Sequence, residues 1–318
     1  MPSQAPILGV YLSESLDLDS LYGEALRQLG EDVVLQNPQE IEDPTEVAFA
    51  ICWQPGEDAF TPYPNLMLAM SIAAGVDALL SHPGLSDEVQ VARVRDPHQA
   101  FLMAGFAAHE VLHQEREFAV MADNATRREW QPLPMRAPER AQVAVLGHGS
   151  MGRAVVTSLS ALGFSVTVAC RSEPVAPVQG VCYLTGDNAV MAAAQGADYL
   201  INILPLTPVT ENVLNATLFA QLRPGAWLVQ IGRGEHLVEA DLDAALASGQ
   251  LAGATLDVFR EEPLASNHRW WQDARLRITP HVASDSLPEV VAEQVVATAR
   301  ELRDGLPLTL GVDRQRGY

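Results

Sequence analysis

An α/β fold built from two parallel-sheet domains is what this sequence predicts. Short apolar runs alternate with longer amphipathic segments from end to end, the pattern left by parallel strands joined through helices. The chain is 318 residues long and 48% hydrophobic, enough for two ordinary cores. A polar stretch rich in Pro and Arg, NATRREWQPLPMRAPERAQ, separates an earlier α/β series from a later one and reads as an exposed connection.

In the first series PILGVYL, DVVLQ, VAFAICW and LMLAMSI read as strands, with SLYGEALRQLG a helix between the first two. Residues 98–122 keep Phe101, Leu102, Gly105, Phe106, Ala108 and Leu112 at a 3.6-type spacing, which predicts one long helix. Beyond the connection, seven runs follow in turn: QVAVLG, FSVTVAC, GVCYLT, ADYLINILP, GAWLVQIG, AGATLDVF and LRITPHVA. They imply one sizeable parallel sheet. The last stretch, LPEVVAEQVVATARELRDGLP, is helical with a stop at Gly305 and is expected to pack away from that sheet.

Acidic residues outnumber basic ones 40 to 20, giving a formal charge of -20, and no run of Lys or Arg makes a basic groove. Nucleic acid and anionic membranes are therefore poor partners, because both need clustered cations. Cys52, Cys170 and Cys182 are far apart and odd in number, which fits reduced thiols in a reducing compartment. MPSQAPILGVYLSES lacks the basic and apolar regions of a secretory signal. NLMLAMSIAAGVDALL is interrupted by Gly75 and Asp77 and is shorter than the roughly 20 residues of a membrane span. A soluble, cytoplasmic protein is expected.

HEVLH, residues 109–113, raises a zinc peptidase. On one helix His109 and His113 share a face that could grip a metal, with Glu110 as general base. A third ligand is wanting. After His113 the chain runs QEREFA, with Arg116 and Ala119 where a metzincin would place Gly and His, and only Glu129 or Glu139 could reach in from a distance. No metal is expected.

GHGSMG places Gly147, Gly149 and Gly152 directly after an apolar strand and before a helix. The first glycine permits a tight turn, the second lets a pyrophosphate approach the backbone, and the third lets helix and strand pack closely. A Rossmann-like dinucleotide site is predicted there. NAD-binding versions end the next strand in an acid that bonds the ribose, yet here Cys170 stands in that place, followed by Arg171 and Ser172. A guanidinium and a hydroxyl suit a 2'-phosphate, so NADP(H) is preferred and NAD(H) remains possible, with Glu173 opposing the phosphate if it points inward.

Ligands in such sheets lie outside the carboxyl ends of the strands, where Arg233, Asp257 with Glu261 and Glu262, and His281 end three runs. An arginine fork suits a carboxylate, and a histidine beside a carboxylate suits proton transfer. Together they describe a hydroxy-acid/keto-acid site.

GHGSMG, NILPLTPVTENVLN, GAWLVQIGRGEHLVEADLDAALASGQLAGATLDVFREEPL and ITPHVAS resemble the D-isomer-specific 2-hydroxyacid dehydrogenases over nearly the whole chain. ICWQPG, SIAAGVDALL, CRS after the second strand and the terminal VDRQRGY are similar to the bacterial NADPH-dependent glyoxylate/hydroxypyruvate reductases within that family. The resemblance implies two Rossmann-like doubly wound domains with a cleft between them. Residues 1–97 plus 286–318 would form the substrate domain and 98–285 the dinucleotide-binding domain. It implies reduction of glyoxylate or hydroxypyruvate by hydride transfer, with Arg233 on the substrate carboxylate and carbonyl, His281 as general acid and Glu262 paired with it. Asp257 would lie near the nicotinamide carboxamide. Ser150, Met151, Leu204 and Pro205 would add cofactor contacts, and Ala74, Gly75 and Trp53 would line the substrate pocket. A homodimer is usual in the family, and its corepressor relatives, which sense NAD(H) without turnover, supply an alternative reading.

Two departures from the family pattern stand out. The family's Asn-x-Ala-Arg-Gly is here QIGRG, so Gln230 and Gly232 alter how Arg233 is held, and Ala73 in SIAAGVD narrows the carboxylate loop.

Overall fold

The computed structural model describes residues 6–314; the opening MPSQA and the final QRGY of VDRQRGY lie outside the described residues. The chain divides into two compact units, Met1–His98 with Asp285–Tyr318, and Gln99–Ser284.

Unit 1 is a five-stranded parallel sheet in the order β2-β1-β3-β4-β5. Its strands are β1 (Ile7–Ser13), β2 (Val33–Gln36), β3 (Val47–Trp53), β4 (Leu68–Ser71) and β5 (Gln90–Arg93), with helices α1 (Leu18–Gln28) and α2 (Asp77–Leu80) between them. The order is the flavodoxin-like doubly wound one, with its switch point between β1 and β3. Alternate residues of a strand face opposite ways, so Tyr11, Phe49 and Ile51 enter one core and Val10, Leu12, Ala50 and Cys52 the other. Asp17 caps α1 by accepting from the Ser20 amide.

Unit 2 opens with α3 (Pro97–Glu115) and α4 (Phe118–Thr126). One helix was expected over 98–122, and there are two. Glu117 takes a left-handed φ of 50, which ends the hydrogen-bond ladder, and α4 then runs into what read as the polar connection. Seven strands follow: β6 (Gln142–Leu146), β7 (Ser165–Ala169), β8 (Cys182–Leu184), β9 (Tyr199–Asn202), β10 (Ala226–Gln230), β11 (Leu251–Leu256) and β12 (Leu276–Ile278). Between them lie α5 (Ser150–Ala161), α6 (Ala189–Ala194), α7 (Ala216–Phe219) and α8 (Glu239–Ser248). All pair in parallel, in the order β12-β11-β10-β9-β6-β7-β8. Both faces are covered, which is why these strands read as unbroken apolar runs. Val143 and Val145 face one core, Ala144 and Leu146 the other.

The final helix α9 (Pro288–Arg303) returns to unit 1, where Val291, Ala292, Val295, Val296 and Ala299 join the core beside Tyr11, Tyr22 and Leu26. Pro288 at its first turn lacks only an amide hydrogen that a helix start leaves unpaired anyway. Among the described residues no helix is long and apolar enough to cross a membrane.

Candidate active site

In unit 2 the strand order reverses between β6 and β9, the point where doubly wound sheets open a crevice at their carboxyl ends. The glycine loop leaves β6 there. Gly147 has φ 105 and its amide donates to Ala169 O at 2.9 Å; a Cβ on it would sit 2.8 Å from Ile203 O. A Cβ on Gly152 would collide with the Gly147 carbonyl. One at Gly149 would meet nothing within 4 Å, so that position is open for a ligand to approach the backbone. Helix α5 begins at Ser150 with no side-chain cap, leaving its first amides for an anion, and Met151 packs against the core. On the other side of the switch point Leu204 N donates to Asn202 Oδ1 at 3.3 Å and Pro205 O accepts from Thr210 Oγ1 at 2.7 Å. The cradle fits a dinucleotide.

Cys170 follows β7, buried, its amide donating to Leu184 O at 2.9 Å. Burial and the negative charge of Glu173 push its thiol pKa up, so β7 is followed by a neutral side chain. Arg171 and Ser172 are exposed immediately after it.

Arg233, Glu262 and His281 all belong to unit 2 and follow β10, β11 and β12 respectively. His281 and Glu262 are in contact, and the charge of Arg233 acts on Glu262. His281 Nδ1 lies 2.8 Å from Glu262 Oε2, and Glu262 Oε1 accepts from the Phe259 amide at 2.9 Å. Burial works to raise the Glu262 pKa, but the His281 hydrogen bond and charge, the Phe259 amide and the Arg233 charge outweigh it and hold the carboxyl below its ordinary value. His281 itself sits at φ 55, a left-handed conformation that costs a side-chain-bearing residue on the order of 1 kcal/mol. Asp257 enforces it. That buried carboxylate accepts from Thr279 Oγ1 at 2.5 Å and from the Val282 and Ala283 amides at 2.9 Å each, while Asp257 O accepts from the His281 amide at 2.9 Å.

Behind Arg233 lies a cluster of which the sequence reading named Gln230 but neither Asn202 nor His236. Asn202, Gln230 and His236 are fully buried. Gln230 Nε2 donates to Arg233 O at 2.7 Å, and its Oε1 accepts from Asn202 Nδ2 at 2.8 Å and from the Gly232 amide at 3.3 Å. His236 Nδ1 accepts from the Arg233 amide at 3.1 Å and stands 2.9 Å from Asn202 Nδ2, while its Nε2 reaches Pro205 O at 3.2 Å. These contacts suit an imidazole with its proton on Nε2. The departures at positions 230 and 232 now have a physical reason: the longer amide fills the cluster, and a methyl on Gly232 would stand 2.9 Å from both Asn202 Nδ2 and His236 Nδ1.

Trp53 is the last residue of β3, and Ala74 and Gly75 follow β4; all three lie in unit 1 and are half-buried. Arg93, which closes β5 beside them, was not singled out from the sequence. HEVLH has a different use. Glu110 is buried and accepts from Thr255 Oγ1 at 2.6 Å and from Arg277 Nε at 2.8 Å, pinning α3 to β11 and β12. His109 and His113 have ring centroids 5.6 Å apart, and burial and the Arg277 charge push the His113 pKa down. Among the described residues no group of three His, Cys, Asp or Glu side chains is arranged to hold a metal.

The profile of the D-isomer specific 2-hydroxyacid dehydrogenase NAD-binding domain matches residues 109–283. A glyoxylate/hydroxypyruvate reductase A of Yersinia enterocolitica is 38% identical over 275 residues, covering 85% of this chain and 87% of the relative. A D-isomer specific 2-hydroxyacid dehydrogenase from Xanthobacter autotrophicus, solved with NADPH and MES, superposes with a TM-score of 0.88 at 34% identity, over 99% of this chain and 100% of that one. The NADPH-dependent glyoxylate/hydroxypyruvate reductase of Sinorhizobium meliloti, solved with NADP and sulfate, gives a TM-score of 0.88 at 30% identity with the same coverage. With glycine cradle, parallel sheets and sequence in agreement, the chain belongs to the D-isomer specific 2-hydroxyacid dehydrogenase family and is an oxidoreductase that works with a nicotinamide cofactor.

Proposed function

We propose that this enzyme reduces small 2-keto acids with NADPH, glyoxylate to glycolate and hydroxypyruvate to D-glycerate. The hydrogen bond between His281 and Glu262, under the charge of Arg233, carries the reading. The reduced nicotinamide, when bound, supplies the hydride that the carbonyl carbon accepts. Arg233 holds the substrate carboxylate and carbonyl oxygen and stabilises the negative charge that develops there. Glu262 keeps the Nδ1 side of His281 engaged, so the proton passes to the new alkoxide from Nε2. Asp257 places His281 and retains acceptor capacity for the nicotinamide carboxamide, since three donors leave part of a carboxylate's four lone pairs unused.

Gly147, Gly149, Gly152, Ser150 and Met151 would hold the pyrophosphate, and Leu204 and Pro205 would cover the cofactor from across the switch point. Arg171 and Ser172 would take the 2'-phosphate, a choice supported by Cys170 in place of a ribose-binding acid and by relatives solved with NADPH and NADP. Trp53, Ala74 and Gly75 would line the substrate side. The test is a steady-state panel of keto acids with NADPH and NADH. Rapid NADPH oxidation with glyoxylate or hydroxypyruvate is expected. Arg233→Ala, Glu262→Gln and His281→Ala should each lower turnover about a hundredfold or more with the fold intact. A His281→Ala enzyme at wild-type speed would remove the proton donor.

A further inference from the structure

Every basic residue of this chain is an arginine, and acids outnumber them 40 to 20, so an arginine has no shortage of partners. Among the described residues of unit 1, Arg27 meets Asp19, Arg300 and Arg303 meet Asp32, and Arg314 meets Asp87, while Arg95 is exposed. Arg93 differs. It is half-buried at the end of β5, and among the described residues its guanidinium meets only a carbonyl, with Nη1 donating to Ala74 O at 2.8 Å. Its Nε is buried with no hydrogen-bond partner. Burial, and then the like charge of Arg95, pull its pKa below the usual arginine value, so this cation is held in place at an electrostatic cost.

The position of that unanswered charge is informative. Ligands of doubly wound sheets bind beyond the carboxyl ends of the strands, and Arg93 is the last residue of its strand. It pairs in register with Ser71, the last residue of β4, so both side chains project from the same face. Both act on one loop. Ser71 Oγ donates to Gly75 O at 2.7 Å and accepts from the Ala73 amide at 3.2 Å, while Arg93 holds Ala74 O. The carbonyls of Ala74 and Gly75 are thereby tied to side chains, and their amides have no acceptor among the described residues. Two amides and a guanidinium nitrogen, all donors, lack what an acceptor-only anion brings.

We propose that Arg93 is the anion-recognising side chain of unit 1: it shapes the Ala74–Gly75 loop and lends it the positive charge that draws in a substrate carboxylate. This rests on the reading above that the loop receives the keto acid; the arginine and its charge are what is added.

Oxalate, a small dicarboxylate that needs no turnover, is the probe. Its affinity is measured by calorimetry on wild type, Arg93→Gln and Arg93→Lys, beside KM and kcat for glyoxylate and the affinity for NADPH. Gln keeps a donor for Ala74 O without the charge; Lys keeps the charge. Arg93→Gln should weaken oxalate about tenfold or more, the loss of one charged hydrogen bond, and raise KM by a similar factor while kcat changes less. Arg93→Lys should recover most of both, with NADPH binding unchanged in all three. Equal behaviour of Gln and Lys would reduce Arg93 to a brace for Ala74, and oxalate that binds all three proteins alike, or none, overturns the proposal. A wild type whose oxalate binding depends on Arg93 yet oxidises no NADPH with any keto acid would instead sink the proposed reaction and leave the anion site standing.

Discussion

Glu262 governs the imidazole beside it through one hydrogen bond, and that bond has a pH signature. Its pKa lies below the ordinary 4.5 although burial works against this, because His281, the Phe259 amide and Arg233 all favour the carboxylate. A group whose folded pKa is depressed stabilises the fold above its unfolded value, and that contribution is lost as pH falls through the lower folded value. The stability advantage of wild type over Glu262→Gln should therefore shrink as pH drops below 4.5, as read by urea unfolding at a series of acidic pH values. Partial exposure of the pair screens the effect, so it is a fraction of what a dry site would give. A difference that did not change with pH would mean that Glu262 feels no charge from its neighbours. At this scale the sequence was informative where chemistry is written into adjacent residues, as in GRG, REEP and TPH. It was silent on Arg93, because nothing in VARVRD marks the arginine until the sheet sets Ser71 beside it.

At the scale of elements, the turn after β10 is a packed polar joint. Gln230 reaches from the end of β10 to Asn202 at the end of β9, and His236 closes the cluster from the turn that follows Arg233. Gly232→Ala alone should destabilise by about 1–3 kcal/mol, since its methyl would press on two buried polar side chains that cannot both move. Gln230→Asn alone should lose about 1–3 kcal/mol by leaving buried groups unpaired. The two should not add. Withdrawing the Gln230 oxygen frees Asn202 to turn away from the new methyl, so the double variant should be at least about 0.5 kcal/mol better than the sum, in both unfolding energy and KM for the keto acid. Strict additivity would show that the two substitutions are unrelated. A linear reading marks Gln230 and Gly232 as departures but not Asn202 and His236, because the members come from β9, β10 and a turn that only the sheet order makes neighbours. The strands were legible for the opposite reason: a sheet covered on both faces leaves an unbroken apolar run. β5 escaped because its four residues carry Gln90 and Arg93 at the ends. The break between α3 and α4 escaped because Arg116 and Glu117 are ordinary helix residues, and nothing in their identity marks the left-handed φ of Glu117.

Across the whole molecule, the two units differ in how the chain supplies them. Unit 2 is one continuous segment, 99–284, with a seven-stranded sheet and a core on each face. Unit 1 is assembled from both ends, and its second contribution is α9, whose Val291, Ala292, Val295, Val296 and Ala299 are buried against Ile7, Tyr11, Leu18, Tyr22 and Leu26. Arg300 and Arg303 add ion pairs to Asp32, and Gln294 bonds both the amide and the carbonyl of Arg95. Three buried valines at about 1.5 kcal/mol or more apiece, with two alanines, come to several kcal/mol, comparable to the total stability of an ordinary domain. A chain ending at Ser284 should therefore leave unit 1 unable to fold while unit 2 keeps its sheet and glycine cradle. The expected outcome is a protein that still binds NADPH, by fluorescence enhancement, and shows a protected fragment near 99–284 in limited proteolysis, yet reduces no keto acid. Retained turnover in that truncated chain would show that Trp53, Ala74, Gly75 and Arg93 take no part in the reaction, because the unit that positions them would be gone.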